Sequence, residues 1–407
     1  MPEHDNYLVG LDIGTTKICC VVAYMDDSMN IDIRGLGYAP ATGMVNGRVI
    51  NIDRTVQAIK TAVNEAESMS GAHIVSAYVG IAGDHIKSIN SNGVVVTKGN
   101  IITQQDVDRA ITTATSIYIP AECEILHTIA QEYRIDGQGG IQNPINLSGN
   151  RIEVDVHIVT AAATAVKDVV NCVLRAGVDV NNTILESVAS AEAVLSPEEK
   201  EMGVLLMDIG GGTSDGAVFV RESIRHTFEI PIGGAALTHD LARSLNLNYD
   251  TAEALKVAHG CCLSDVLEEE LRIEVPSVGG HGVQYVDNTI VCQLLEERCS
   301  ELLSSAERIL ISSAYSEQIG NVVITGGTAL LRGIIPLATQ IFNRPVRIGT
   351  PDYHGGLANI VNNPKFATAI GLVLFGGKSE LTGSQGGGNG GGGALGRFIK
   401  NLFKKKS

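Results

Sequence analysis

Two stretches of this chain carry the same pattern, Asp-Ile-Gly leading to threonine between two apolar runs, and any fold must accommodate both. The first is Asp12-Ile13-Gly14-Thr15-Thr16-Lys17, between Tyr7–Leu11 and Ile18–Ala23. The second is Asp208-Ile209-Gly210-Gly211-Gly212-Thr213, preceded by Val204, Leu205 and Leu206 and followed by Ala217, Val218, Phe219 and Val220. The flanking runs are β-branched and aromatic with no helical period, so each stretch reads as a β-hairpin. That order excludes a Walker loop and a dinucleotide fingerprint, which both run from glycines into a helix. Consecutive glycines admit positive φ and close approach of a ligand, and successive turn amides form an anion-binding concavity. A single Gly-rich turn is often no more than a turn. Two in one register, one per half, make an internal repeat. They predict two facing hairpins that clamp a triphosphate, with Asp12 and Asp208 near a metal.

A third segment, Val322–Leu331 (VVITGGTALL), reads as strand, glycines and helix. Together the three resemble the phosphate and adenosine motifs of the actin, DnaK-chaperone and sugar-kinase superfamily. The stretches Ala77–Ile86 (AYVGIAGDHI), Ala258–Cys261 (AHGC) and Val275–Gly280 (VPSVGG), with the basic C-terminal segment, narrow the resemblance to the FtsA family of bacterial cell-division proteins. It covers nearly the whole chain. The resemblance implies an α/β fold: an actin-like (ribonuclease H-like) duplicated two-domain ATPase with a small inserted α+β subdomain, a Gly-rich linker and a C-terminal amphipathic helix. It implies Mg-ATP between the halves, held by Gly14, Thr15, Thr16 and Lys17 on one side and Gly210, Gly211, Gly212 and Thr213 on the other. Gly233 and Gly234 would open the next helix, and Gly326, Gly327 and Thr328 would meet the adenosine. Asp12 and Asp208 would act on magnesium through water, since Mg²⁺ usually keeps several waters. The family's role is to tether FtsZ, through its C-terminal peptide, to the inner face of the cytoplasmic membrane at the septum. Head-to-tail polymers, other divisome proteins and at most weak ATPase activity belong to the same expectation.

Three assignments stay open at this stage. Glu186 matches the acid that orients attacking water in related ATPases, and it also suits a first-turn glutamate complementing the helix dipole. Glu253 and Lys256, three apart on one helical face, either bracket the ribose and base or form an exposed salt bridge. Arg298 and Glu301 resemble residues that receive the FtsZ peptide, or they lie on a solvated face.

Composition bounds the rest. A chain of 407 residues with 44% hydrophobic and 4% aromatic content builds a large aliphatic core divided into domains. The net charge of −15 argues against a nucleic-acid binder. Eight cysteines without CxxC spacing read as small core residues in a reducing cytoplasm, and the N-terminus lacks a signal pattern. The expected division places residues 1–83, 164–195 and 364–380 in the first domain and 84–163 in the insert. Residues 196–245 and 319–363 form the second domain, and 246–318 its subdomain. A linker spans 381–393, and an amphipathic helix 394–407.

That last segment carries Leu395, Phe398, Ile399, Leu402 and Phe403 at one helical stripe, flanked by Arg397, Lys400 and Lys404. It is too short to span a bilayer, so it is expected to lie in an anionic membrane surface. A sugar or acetate kinase, a chaperone-like ATPase and an MreB-like filament share the fold and remain the alternatives. A kinase has no use for such a tail, and no substrate-binding β-domain follows residue 376.

Overall fold

Tyr7–Ile13 (β1) and Lys17–Met25 (β2) pair antiparallel, with Asp12 opposite Cys19, and Ile31–Pro40 (β3) continues the meander. Ile18 through Ala23 are all fully buried, because helices cover both faces of this sheet. That is why the strand reads as a continuous apolar run. A minor hairpin (Met44–Val45, β4; Arg48–Val49, β5) precedes the helix Ile52–Ser70 (α1), which Asn51 caps at one end and Gly71, in the left-handed region, at the other. Ser76–Ile81 (β6) then adds parallel to β1. The computed structural model describes residues 7–26, 28–267, 269–277 and 282–384.

The chain leaves this half at Gly83 for a four-stranded sheet. It holds Lys87–Val96 (β7), Cys123–Ile135 (β8), Gln138–Ile141 (β9) and Arg151–Ala162 (β10), in the order β7-β10-β8-β9. Gln104–Thr115 (α2) covers one face, and Thr103 and Asp106 form its capping box. Ile102, Val107, Ile111, Tyr133, Ile152 and Val154 belong to a core of the insert's own. The chain returns through Ala163–Ala176 (α3) and Asp179–Leu185 (β11), which lies parallel to β6.

Glu186–Val194 (α4) crosses to the second half, and Pro197–Met202 (α5) leads into Val204–Ile209 (β12), Ser214–Val220 (β13) and Ser223–Ile230 (β14). Gly234–Ser244 (α6), Tyr249–His259 (α7), the hairpin Arg272–Pro276 (β15) with Val283–Asp287 (β16), and Asn288–Ser312 (α8) follow. Asn321–Thr325 (β17), Ile334–Phe342 (α9), Val346–Ile348 (β18) and Ala358–Val361 (α10) lead to Ala367–Ser384 (α11). The second sheet runs β14-β13-β12-β17-β18, and the first runs β3-β2-β1-β6-β11 in the same sense. Each is an antiparallel meander of three strands extended by two parallel ones, so the repeat seen in the motifs is a repeat of the fold.

Alternation on β12 separates two cores. Leu205, Met207 and Ile209 pack toward α6–α9, while Val204 and Leu206 join the core of the first half. Helices α4 and α11 lie side by side; a Cβ on Gly371 would reach within 3.1 Å of the Ser190 amide nitrogen. Helix α11 continues through Ser384, past the linker start expected at 381. Seven cysteines are buried and Cys123 is half-buried, all with free thiols. No helix among the described residues is long and apolar enough to cross a membrane. The expected amphipathic segment 394–407 lies outside the described residues.

The insert seats against β14 through polar groups. Ser88 Oγ donates to Thr227 O (2.8 Å), Asn90 Nδ2 to Arg225 O (3.0 Å) and Gln131 Nε2 to Ile224 O (2.7 Å). These bonds satisfy the carbonyls of an edge strand without extending the sheet. The fully buried His157 lies 2.7 Å from Asn90 Oδ1 through Nδ1 and 3.0 Å from Thr227 Oγ1 through Nε2. Since Asn90 presents its amide oxygen, Nδ1 carries the proton and Nε2 accepts. Burial holds the His157 pKa down to about 3, with His226 and His127 adding to it, and burial alone holds His127 near 4. The unfolded chain takes up these protons near pH 6.5 and the folded one only near 3–4, so stability is full above 6.5 and lost as pH falls through that window. Each histidine contributes up to roughly 1.4 kcal/mol per pH unit there. Thermal midpoints measured from pH 7.5 to 4.5 are expected to fall less steeply in His157→Gln than in the unaltered protein. Parallel slopes would exclude His157 as a source.

Candidate functional site

The two Gly-rich turns have one construction. Gly14 N–H donates to Lys17 O (2.9 Å) and Gly210 N–H to Thr213 O (3.0 Å). They meet tip to tip. A Cβ on Gly211 would come within 2.9 Å of Thr16 Cβ, and one on Gly212 within 2.8 Å of Thr15 Cβ. None of Gly14, Gly210, Gly211 and Gly212 has positive φ, so the freedom of dihedral expected from the sequence is not what these glycines supply. At Gly211 and Gly212 they supply room for the Thr16 and Thr15 side chains. Positive φ occurs instead at Gly326 (88°), under the Asp208 carboxylate and 2.8 Å from the Ile209 carbonyl carbon by the same measure.

The second turn is docked onto the start of α6. Gly234 N–H donates to Gly210 O (2.9 Å), Ala235 N–H to Gly211 O (2.7 Å) and Thr328 Oγ1 to Gly210 O (3.0 Å). Lys256 Nζ donates to Gly234 O (2.9 Å) and Thr238 Oγ1 (2.8 Å) and pairs with Glu253 at 2.8 Å. Glu253 and Lys256 therefore form a salt bridge that lines the cleft.

Between the turns is a cleft of about 1050 Å³. It is lined by Asp12, Gly14, Thr15, Thr16, Lys17, Glu186, Asp208, the turn from Gly210 to Thr213, Gly234, Glu253, Lys256, Gly326, Gly327 and Thr328. Of the expected cofactor residues only Gly233 is set back, behind Gly211 as the N-cap of α6. The 326–328 segment differs from expectation, because a 3₁₀ turn (Gly327–Leu330) and Gly333 precede helix α9.

Four carboxylates converge here. Asp12, Asp208 and Asp215 are buried, and Glu186, at the start of α4, is half-buried. Asp12 is ion-paired with Lys17. Burial opposes the Lys17 charge, but Asp12 outweighs it and holds the ammonium well above its usual pKa. Asp208 Oδ2 accepts from Ser190 Oγ (2.5 Å) on α4 and from Thr368 Oγ1 (3.1 Å) on α11. Burial raises the Asp208 pKa, and the Ser190 bond tempers the rise. Burial, then the neighbouring Asp12, Asp215 and Asp208, push Glu186 well above the carboxylate range. Burial and Asp208 raise Asp215 to about 7. Among the described residues no three His, Cys, Asp or Glu side chains are placed to hold a metal directly. The site nevertheless fits a hydrated divalent cation, since one lysine faces four acids whose repulsion such a charge relieves.

Asp215 is the residue that sequence reading missed. It follows the second motif, in Thr213-Ser214-Asp215-Gly216, directly across the hairpin from Asp208, and that register was the available signal. Arg298 and Glu301 lie on α8, outside the cleft. Arg298 Nε donates to Asp240 Oδ2 on α6 (2.5 Å) and its Nη1 to Glu301 Oε2 (2.7 Å), so the face read as solvated or partner-binding also ties α8 to α6.

Comparison with known proteins now decides the family. Residues 205–371 match the family Cell division protein FtsA, and residues 83–160 the SHS2 domain inserted in FTSA. The chain is 42% identical to the cell division protein FtsA of Neisseria meningitidis over 414 residues, covering 99% of this chain and all of that one. Identity to the Pseudomonas aeruginosa protein is 41% over 370 residues (91% and 89% covered), and to the Escherichia coli K12 protein 37% over 384 (92% and 91%). The chain belongs to the FtsA family of cell division proteins. Its actin-like fold is shared with a solved PilM-PilN type IV pilus biogenesis complex (TM-score 0.66, 18% identity, 91% and 98% covered). It is shared also with MreB5 of Spiroplasma citri (TM-score 0.56, 16% identity, 96% and 100% covered).

The tip-to-tip contact is testable by a double-mutant cycle. Gly212→Ala is expected to destabilise the protein by about 1–3 kcal/mol in urea unfolding, as overpacking does. Thr15→Gly in the same chain should recover most of that loss. Strictly additive costs would show that Gly212 is not crowded by Thr15.

Proposed function

We propose that the chain is an ATP-switched adapter that holds FtsZ at the cytoplasmic face of the inner membrane during division. The observation that carries the nucleotide part is the cleft, where two like turns meet beside Lys17 and the carboxylates of Asp12, Glu186, Asp208 and Asp215. Family membership favours this reading over the kinase and chaperone alternatives, and MreB5 of Spiroplasma citri, which has this fold, was solved bound to ADP and to AMPPNP.

In this reading the turns at Gly14–Thr16 and Gly210–Thr213 offer backbone N–H groups and hydroxyls to the phosphates, and Lys17 adds charge from one side. Magnesium, when bound, supplies positive charge to phosphate oxygens. Asp12 and Asp208 would hold it through water. Gly326, Gly327 and Thr328 border the nucleoside with Glu253 and Lys256 opposite. Glu186, whose pKa burial and the neighbouring acids raise, orients water by a hydrogen bond. Closing the halves around the nucleotide favours head-to-tail polymers. Arg298 and Glu301 receive the FtsZ C-terminal peptide. The C-terminal stripe from Leu395 to Phe403, with its basic flank, lies on anionic lipid; weak binding by one tail is multiplied in the polymer.

Vesicle flotation tests the adapter. The unaltered chain should float with anionic vesicles and carry the FtsZ peptide with it. Phe398→Glu/Leu402→Glu should stay in solution. Arg298→Glu should float but bind the peptide at least about tenfold less tightly, the effect of losing an interface anchor. Flotation of the tail variant, or full peptide affinity in Arg298→Glu, would refute the corresponding surface. For turnover, a residual ATPase rate unaltered by Glu186→Ala would return Glu186 to a purely structural, helix-dipole role.

A further inference from the structure

The insert touches both walls of the cleft, each time next to a cleft carboxylate. On the first wall, His127 on β8 accepts the Leu185 N–H at Nε2 (2.9 Å). Leu185 is the cap residue of α4, immediately before Glu186. Burial keeps His127 neutral, so Nε2 stays an acceptor. On the second wall, Glu229 on β14 lies directly across the strands from Asp215. Burial raises the pKa of both acids. Asp215 Oδ1 and Glu229 Oε2 find no hydrogen-bond partner among the described residues. The second oxygen of Glu229 accepts the Gly83 N–H at 3.0 Å. Gly83, with φ of 134°, is the residue at which the chain turns out of the first half into the insert. Its neighbour His85 is buried with neither ring nitrogen paired, so Glu229 is the anchor of this root.

We propose that the inserted domain senses the state of the cleft through these two hydrogen bonds, Gly83 N–H to Glu229 and Leu185 N–H to His127. Glu229 and His127 are then positioning residues that transmit occupancy of the cleft to the orientation of the insert. This rests on the reading that the cleft binds Mg-ATP. The physical reason is leverage. Any displacement of Asp215 by a ligand passes across one strand pair to the hinge of the insert, while any displacement of Glu186 passes through one peptide unit to its β8 strand. The polar seat against β14 lets the sheet shift as a body, because its bonds run from side chains and can re-form.

Hydrogen–deuterium exchange on the full chain, with and without saturating Mg-ATP, tests the coupling. In the unaltered chain, Mg-ATP should slow exchange in the turn Gly210–Thr213 and also across Gly83–Val96 and at Leu185, by about fivefold for one hydrogen bond of ordinary worth. Glu229→Ala should keep the response in the turn and lose it across Gly83–Val96. Glu229→Gln, whose amide oxygen can still accept from Gly83, should retain it. His127→Ala should lose the response at Leu185. A fault in folding alone would affect both nucleotide states equally and cancel in the difference. The inference is overturned if the turn responds while the insert of the unaltered chain does not. It is overturned equally if Glu229→Ala responds like the unaltered chain, or if Glu229→Gln behaves like Glu229→Ala. No response in the turn itself would remove the nucleotide reading, and this inference with it.

Discussion

The contact between two bare turns governs this molecule. Gly211 and Gly212 lie against the Thr16 and Thr15 side chains, so the halves meet where bare backbone of one turn packs on the threonines of the other. Side chains there would hold the sheets apart and leave phosphate-sized groups out of reach of one set of amides. The same close approach forces Asp12, Glu186, Asp208 and Asp215 together, because each sits on a strand or helix end that the turns bring in. Repulsion among acids is thus a consequence of the geometry, and a cation is what would relieve it.

Around that contact, α4 and α11 pack side by side between the halves. Ser190 and Thr368, one from each helix, both bond Asp208, so the helices between the halves feel the carboxylate nearest the second turn. Farther along, Glu192 of α4 pairs with Lys200 and with Lys378 of α11, and these two lysines hold its pKa below the usual carboxylate range against the effect of burial.

The duplicated hairpins were legible in the sequence because Asp-Ile-Gly and its apolar flanks encode both the turn and the strands that bury it. The long helix was legible from the spacing of Val291, Leu294, Leu295, Leu302 and Leu303, which expects it over Thr289–Ser313 against the observed Asn288–Ser312. Strand β8 was not. Its His127 and Gln131 look like surface residues, and they are buried because they hydrogen-bond Leu185 and the β14 edge, partners distant in sequence. The β15–β16 hairpin lies in an acidic, Gly-rich stretch where local pattern is weak. The role of the glycines was misjudged for a similar reason: a sequence shows that a side chain is missing, and only the facing Thr15 and Thr16 show why. Asp215 stood in plain view, but its importance comes from lying opposite Asp208 on one side and Glu229 on the other.

The central claim is that paired turns hold a nucleotide by its phosphates with a hydrated cation among the acids. Calorimetric titration with ATP, ADP and AMP, each with and without magnesium, addresses it directly. The account predicts that affinity falls stepwise from ATP to ADP to AMP and that removing magnesium weakens ATP most. AMP binding as tightly as ATP, or ATP binding indifferent to magnesium, would contradict it.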